Sequence, residues 1–368
     1  MSTDILGNHQ QAGAVNSPLA NPFTLHHTPE FPELLAALDC SLAITTYQAG
    51  KILFISSNGE KLNLLPRTFD TPMGLTIDGS RMAVATKSEV VVLAHNPEMG
   101  PTYPKQPGVY DTIYMPRAIY FTGAVAMHDI VFDSDGLIGV NTLFSCLCRI
   151  DADHSFTPFW IPPFITELSG EDRCHLNGLA VENGKPKYVT ALGATDTAQG
   201  WREGKLSGGI LMDVNSKEII LNELPMPHTP RIYNEKLYQL LSATGELVKV
   251  DCGAGKYDVI QKLPGFVRGM SLHGEHLFVG LSRMRKTHTF GDLELAQRKD
   301  LMCGIVVIHL PTGALVGSLR FLNSCEEIYD VQVLPGLKRP GILGLGTEIH
   351  KLGLSLPDRS FWAREKEN

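Results

Sequence analysis

Met127-His128-Asp129-Ile130-Val131-Phe132-Asp133 opens on a polar pair and continues as an apolar, β-branched run. Residues of this kind, bounded by turn formers, read as a strand rather than a helix. Cys174-His175-Leu176-Asn177-Gly178-Leu179-Ala180-Val181 has the same shape. So has Pro227-His228-Thr229-Pro230-Arg231-Ile232-Tyr233. Three histidines therefore fall at the same place in three successive units. If the units surround one axis, the histidines meet there.

Extending the alignment gives six units, opening at Pro72, Met127, His175, His228, Val267 and Glu327. Their starts lie roughly 40–60 residues apart, the period of a four-stranded propeller blade. Each opening run is followed by a second apolar run, and several by two more. Strand-like runs at 41–47, 51–56 and 62–69 precede the first unit, while the sixth has little room for four strands. The two deficits match. The expected fold is an all-β, six-bladed propeller, closed by outer strands from 42–69 and inner ones from 327–345 in a shared blade. The expected organisation is a polar N-terminal extension over 1–30, one propeller domain over 31–355 and a tail over 356–368. Short helical turns are expected within 163–172 and 289–300.

Composition supports this frame. The chain has 368 residues, 43% hydrophobic and 19% charged, with 35 glycines and 23 prolines dispersed between apolar runs. That is a turn-rich globular composition. A net charge of −7 offers no basic footprint and argues against nucleic acid. The seven cysteines are an odd number with no repeated CxxC framework. They read as reduced, mostly buried thiols in a cytoplasmic protein. No basic-then-apolar leader and no apolar run of 18 residues occurs, so neither secretion nor a membrane span is expected. There is no GxSxG elbow, phosphate-binding Gly loop, HExxH or dinucleotide fingerprint.

In a propeller the innermost strands begin at the mouth of the central channel, so chemistry is sought among the residues that open the units. His128, His175 and His228 form a candidate three-histidine site for a divalent transition metal, with zinc, iron, copper and manganese not distinguished. Glu326 or Glu327 can add an oxygen ligand, and Asp129 and Asp330 can orient imidazoles. Arg231 and Arg268 are candidates for holding a carboxylate or phosphate, with Asn177 beside them. Salt bridges to Asp330 or Glu327 are the alternative use of both arginines. Asp129, Glu327, Tyr329 and Asp330 are candidates for proton transfer. The loop 193–203 brings Asp196, Trp201 and Arg202, a ligand-facing mixture that also suits plain packing. A second insertion, 283–301, carries Arg283, Arg285, Lys286, His288 and Phe290. The whole set also admits a metal-free reading, in which the polar residues hydrogen-bond the blade openings around the channel.

Ser41-Leu42-Ala43-Ile44-Thr45-Thr46-Tyr47-Gln48-Ala49-Gly50-Lys51, the run 116–129 ending in Met127-His128-Asp129, Cys174-His175-Leu176-Asn177-Gly178-Leu179-Ala180, Pro227-His228-Thr229-Pro230-Arg231-Ile232-Tyr233 and the loop 193–202 together resemble a bacterial family labelled only as a domain of unknown function. The resemblance spans about residues 40–350 and implies a propeller without assigning catalytic residues. More distantly, the Asn-Gly-Leu-Ala opening is similar to that of gluconolactonase-like six-bladed propellers. The latter resemblance implies a divalent metal on carboxylates and Asn at the axis, where this chain offers histidines. The expected function is a metal-dependent enzyme, of hydrolase or lyase type, acting on a small, polar, anionic substrate. The alternative is a non-catalytic propeller that binds a peptide or small molecule and uses its histidines structurally.

Overall fold

A computed structural model of the chain describes residues 21–283 and 293–363. Short runs rich in Val, Ile, Leu and Thr pair as antiparallel meanders, and six such sheets are arranged as a six-bladed propeller. Blade 1 begins at Leu75–Asp78 and ends at Thr112–Phe121; blade 2 runs from Met127–Asp133 to Thr157–Trp160. Blade 3 runs from Leu176–Glu182 to Ile219–Leu224, and blade 4 from Pro227–Tyr233 to Lys256–Lys262. Blade 5 runs from Phe266–His273 to Ala314–Phe321. In each, the first strand is the inner one.

Blade 6 closes the ring. Its inner strand is Asp330–Pro335, and its three outer strands are Cys40–Thr45, Lys51–Ser57 and Leu62–Thr68. The register pairs Leu42 with Val333 and Ile44 with Val331. The shared blade is thus one strand plus three. Residues 341–345, expected to add an inner strand, do not join it. Pro340–Ile342 instead pairs in parallel with blade 1 at residues 112–114. Blade 5 gains a fifth strand from Leu25–His27, paired to residues 319–321. The segment expected as a polar extension therefore contributes to the sheet from residue 25. At the other end a hairpin of Gly353–Ser355 and Ser360–Trp362 crosses the expected boundary at 355.

Apolar side chains fill the spaces between blades. Leu42, Ile44, Leu53 and Ile55 of blade 6 pack on Phe278, Ile305 and Val307 of blade 5. Ile138, Val140 and Leu147 of blade 2 meet Leu176, Val189 and Ile210 of blade 3. Helix Phe31–Ala37, not anticipated from the sequence, has a proline in its first turn and buries Phe31 and Leu35 against blades 5 and 6. A single-turn 3-10 helix at Glu294–Gln297 falls within the expected segment 289–300, whereas 163–172 is turn and bend. Cys146 and Cys148 are both buried in the blade 2 core, as alternation on a strand requires.

Candidate functional site at the channel mouth

A left-handed residue precedes the inner strands of blades 2, 3 and 4: Ala126, His175 and Met226, with φ of 53°, 53° and 54°. Each inner strand then bulges at or just after the next turn toward the axis. Bulges re-aim side chains, and these send one residue per blade inward. In blades 2, 3 and 4 that residue is His128, Asn177 and His228. Arg268 holds the place in blade 5, where the strand bulges over 268–269. Met73 and Tyr329 hold it in blades 1 and 6. One step further the sequence alternates: Gly74, Asp129, Gly178, Thr229, Gly269, Asp330. Neighbouring inner strands touch there. A Cβ on Gly74 would stand 2.9 Å from Asp129 Cα, and one on Gly269 would stand 2.5 Å from Asp330 Cα. Each polar residue of this tier accepts a backbone N–H from the following blade. Asp129 takes Leu179 N at 3.0 Å, Thr229 takes Gly269 N at 3.1 Å, and Asp330 takes Leu75 N at 3.0 Å.

Above this constriction lies a cavity of about 310 Å³, lined by the three histidines, Arg268, Trp201, Arg202, Glu327 and Tyr329, with Tyr47, Met73, Met226 and Phe266 as apolar wall. The histidines are held alike. His128 Nδ1 lies 3.0 Å from the Ala126 carbonyl and 2.8 Å from Thr142 Oγ1, whose own proton goes to the Leu176 carbonyl. His228 Nδ1 lies 3.0 Å from the Met226 carbonyl and 2.9 Å from Ser242 Oγ, whose proton goes to the Val267 carbonyl. Each Nδ1 therefore faces only acceptors and must be the protonated nitrogen. His175 Nδ1 donates to the Asp172 carboxylate at 2.9 Å, and Trp201 Nε1 donates to the same carboxylate at 3.0 Å. In the His128 and His228 rings Nε2 is left with its lone pair, and no described residue hydrogen-bonds Nε2 of any of the three. Burial, then His175 and Arg268, push His128 well below the ordinary imidazole value. Burial and Arg268 do the same to His228. Both are neutral at pH 7.

The His128 and His175 rings meet edge to face at 4.8 Å, and His175 packs on Trp201 at 4.4 Å. The Arg268 guanidinium lies 3.9 Å above the Tyr329 ring, which stacks on Tyr47 at 5.5 Å. Glu327 faces Arg268 at 3.6 Å. Among the described residues no group of three or more His, Cys, Asp or Glu is gathered closely enough to hold a metal ion as the side chains stand.

Residues 29–343 match the family described as Domain of unknown function (DUF4915). The chain belongs to that family. No curated protein matches the DUF4915 chain. Among solved structures it is similar to a propeller chain in "Crystal structure of Nidogen/Laminin Complex". The two are 9% identical with a TM-score of 0.52, over 81% of this chain and 99% of that one, a likeness of fold alone.

Several expectations for the DUF4915 chain are corrected by these positions. His175 does not occupy the same place as His128 and His228. It sits two residues earlier, on the left-handed residue, and Asn177 takes the equivalent place. The three rings still line one cavity because His175 reaches it from the strand entry. Arg231 is not free for a ligand. It lies below the constriction and grips Asp129 through both terminal nitrogens, at 2.8 and 3.1 Å. Burial works against its charge, but Asp129 and Asp330 outweigh that and raise its proton affinity. Asp129 and Asp330 orient Arg231 and backbone N–H groups, not imidazoles. The imidazole orienters are Asp172, Thr142 and Ser242, which sequence alone did not single out. Asp196 does not line the cavity and instead binds Thr166 and Arg173. Trp201 and Arg202 do line it, and Arg202 stacks on Trp201 at 4.5 Å. Glu326 pairs with Arg283 at the rim. Arg285, Lys286, His288 and Phe290 lie outside the described residues.

Asp330 carries a pH signature. Burial pushes its carboxyl up to about 7 from 3.8, against the lowering pull of Arg231. An acid that stays protonated only in the folded state loses stability as pH rises from its unfolded to its folded value. Relative to Asp330→Asn, the native chain is therefore expected to lose stability between about pH 4 and 7 and to level off above. Urea unfolding of both proteins across that range checks this. A pH-independent difference would mean that Asp330 ionises normally in the fold.

Proposed function

We propose that the cavity is the active site of a metal-dependent enzyme of hydrolase or lyase type, acting on a small anionic substrate. One observation carries the reading: three imidazoles line a single cavity with Nε2 atoms that no described residue engages, each with Nδ1 tied to a fixed partner. That is how histidine is prepared as a metal ligand, with the outer hydrogen bond setting tautomer and orientation. The Asp172–His175 pair fits a carboxylate–histidine–metal relay. The rings do not stand as a closed cage, so ligation would require them to turn inward. A bound divalent ion would supply Lewis-acid polarisation or an activated water. The chain's own part is to place Arg268 for the substrate's negative charge, and to offer Glu327 and Tyr329 for proton transfer. Tyr47, Met226 and Phe266 wall off water.

Elemental analysis of the untagged protein tests this. About one transition-metal atom per chain is expected, and its loss in the His128→Ala/His175→Ala double variant. Content far below one, unchanged in the variant, rules the metal out. Arg268 favours a second reading. Its positive charge beside His128 and His228 suits a metal-free pocket in which the Nε2 atoms accept hydrogen bonds from a bound small molecule or peptide.

A further inference from the structure

The cavity narrows at its floor into a neck with space of about 10 Å³, lined by His128, Asn177, His228, Arg268, Tyr329 and the tier below. That is room for a single oxygen atom. Two donors in it have no partner among the described residues: Asn177 Nδ2 and the Tyr329 hydroxyl. Their residues are only 4% and 5% exposed. Buried donors without a partner are costly and call for an occupant. Asn177 Oδ1 accepts the Thr190 hydroxyl at 2.7 Å, which turns Nδ2 toward the neck. Arg268, 9% exposed, completes the set. Among the described residues no hydrogen bond occupies its guanidinium, and its 3.6 Å approach to Glu327 exceeds hydrogen-bond length.

The carboxylates around the neck are already engaged, and the remaining acceptors there are the Nε2 atoms of His128 and His228. Asp129 holds Arg231 and Leu179 N. Asp330 holds Val331 N and Leu75 N. On the floor, the two unpartnered donors are neutral, and beside them stands the Arg268 guanidinium, faced by Glu327 at 3.6 Å but hydrogen-bonded to no described residue. The occupant must bring lone pairs, and the Arg268 guanidinium beside them favours an anionic one.

We infer that the floor is a carboxylate subsite, in which Asn177 Nδ2, the Tyr329 hydroxyl and the Arg268 guanidinium bind the carboxylate of the ligand. This deepens the reading of the cavity as a ligand site and gives the anionic substrate a defined group. One carboxylate oxygen enters the neck. The rest of the molecule occupies the wider cavity, against Met226 and Phe266 and within reach of the histidine Nε2 atoms. Specificity follows from charge: an uncharged amide of the same shape forgoes the attraction of Arg268 and has one oxygen, not two, to accept the Asn177, Tyr329 and Arg268 donors.

Three tryptophans make the test direct. Trp201 lines the cavity, while Trp160 sits on the outer strand of blade 2 and Trp362 in the C-terminal hairpin. Protein labelled with 5-fluorotryptophan gives three fluorine resonances, two of them internal controls. Acetate and acetamide serve as probes, each titrated into chelator-treated and zinc-loaded protein. Acetate is expected to shift the Trp201 resonance saturably, with acetamide at least about tenfold weaker. Tyr329→Phe keeps the stack on Tyr47 and should weaken acetate about tenfold; Arg268→Gln should weaken it further. Thermal melts verify that both variants fold. Equal response to acetate and acetamide overturns the subsite, as does an acetate affinity untouched by Tyr329→Phe and Asn177→Ser together. Acetate binding without zinc supports the subsite even where the metal reading fails. A response that needs zinc and ignores Tyr329→Phe overturns the subsite and leaves the metal reading standing.

Discussion

Asp129→Ala is expected to destabilise the protein by about 3–5 kcal/mol, the cost of stranding a buried guanidinium. Arg231 donates to both oxygens of Asp129 and to the Leu179 carbonyl, and Asp129 also accepts Leu179 N. Removing the carboxylate leaves a charge that neither water nor the neighbouring carbonyls can satisfy. Asp330 is close enough to Arg231 to influence it, and so moderates the loss without abolishing it. The pair is also the joint between blades 2, 3 and 4, so the damage reaches the ring itself. Adding Arg231→Met to the same chain should recover much of the stability, because an apolar side chain of similar length replaces the stranded charge. Urea unfolding of the native, single and double variants measures both terms. A single-variant loss under about 1 kcal/mol would mean that the pair is hydrated and is not the joint described.

That pair shows where sequence is informative and where it stops. The blade period, the six openings and the sharing of one blade by the two ends were legible, because each rests on local pattern: apolar runs, turn residues and a polar opening. The identity of the cavity-lining histidines was legible for the same reason. Their geometry was not. Ala126-Met127-His128 and His175-Leu176-Asn177 differ by a two-residue offset that only the left-handed residue and the bulge reveal. Arg231 looked available because its partner lies 102 residues earlier in the chain and meets it across the axis. Asp172 was passed over because it sits in a turn before the strand, where a carboxylate ordinarily faces water. Helix Phe31–Ala37 is too short for periodicity to show.

Gly269→Val should cost about 3 kcal/mol or more. Gly269 has φ of +70°, a conformation that costs a side-chain-bearing residue about 1–2 kcal/mol, and β-branching adds to it. Its virtual Cβ also stands 2.5 Å from Asp330 Cα and 2.7 Å from Val331 N, backbone that cannot step aside without parting blades 5 and 6. Overpacking of that kind adds roughly 1–3 kcal/mol. Gly274→Val separates the two contributions. Gly274 has φ of +58° but nothing within 4 Å of its Cβ, so only the conformational cost applies. Denaturant unfolding of both variants should rank Gly269→Val clearly below Gly274→Val. Equal losses would show that the tier of alternating glycines is not a close contact.

The shared blade also sets the order in which this chain can assemble. The four-stranded meanders of blades 1 to 5 are built from strands adjacent in sequence, so each can form soon after it is synthesised. Strand Cys40–Thr45 emerges early, with all six residues destined for burial, yet the partner for its inner edge is Asp330–Pro335, nearly three hundred residues later. Until then it carries an open, apolar edge, the type of surface that recruits stray strands. Ring closure is thus a late, long-range event, slow by the logic of contact order. The nascent chain passes through an open crescent whose cavity floor is incomplete, because Tyr329 and Asp330 arrive with the closing strand. A complete cavity floor and the loss of aggregation risk should appear together, in one final kinetic step.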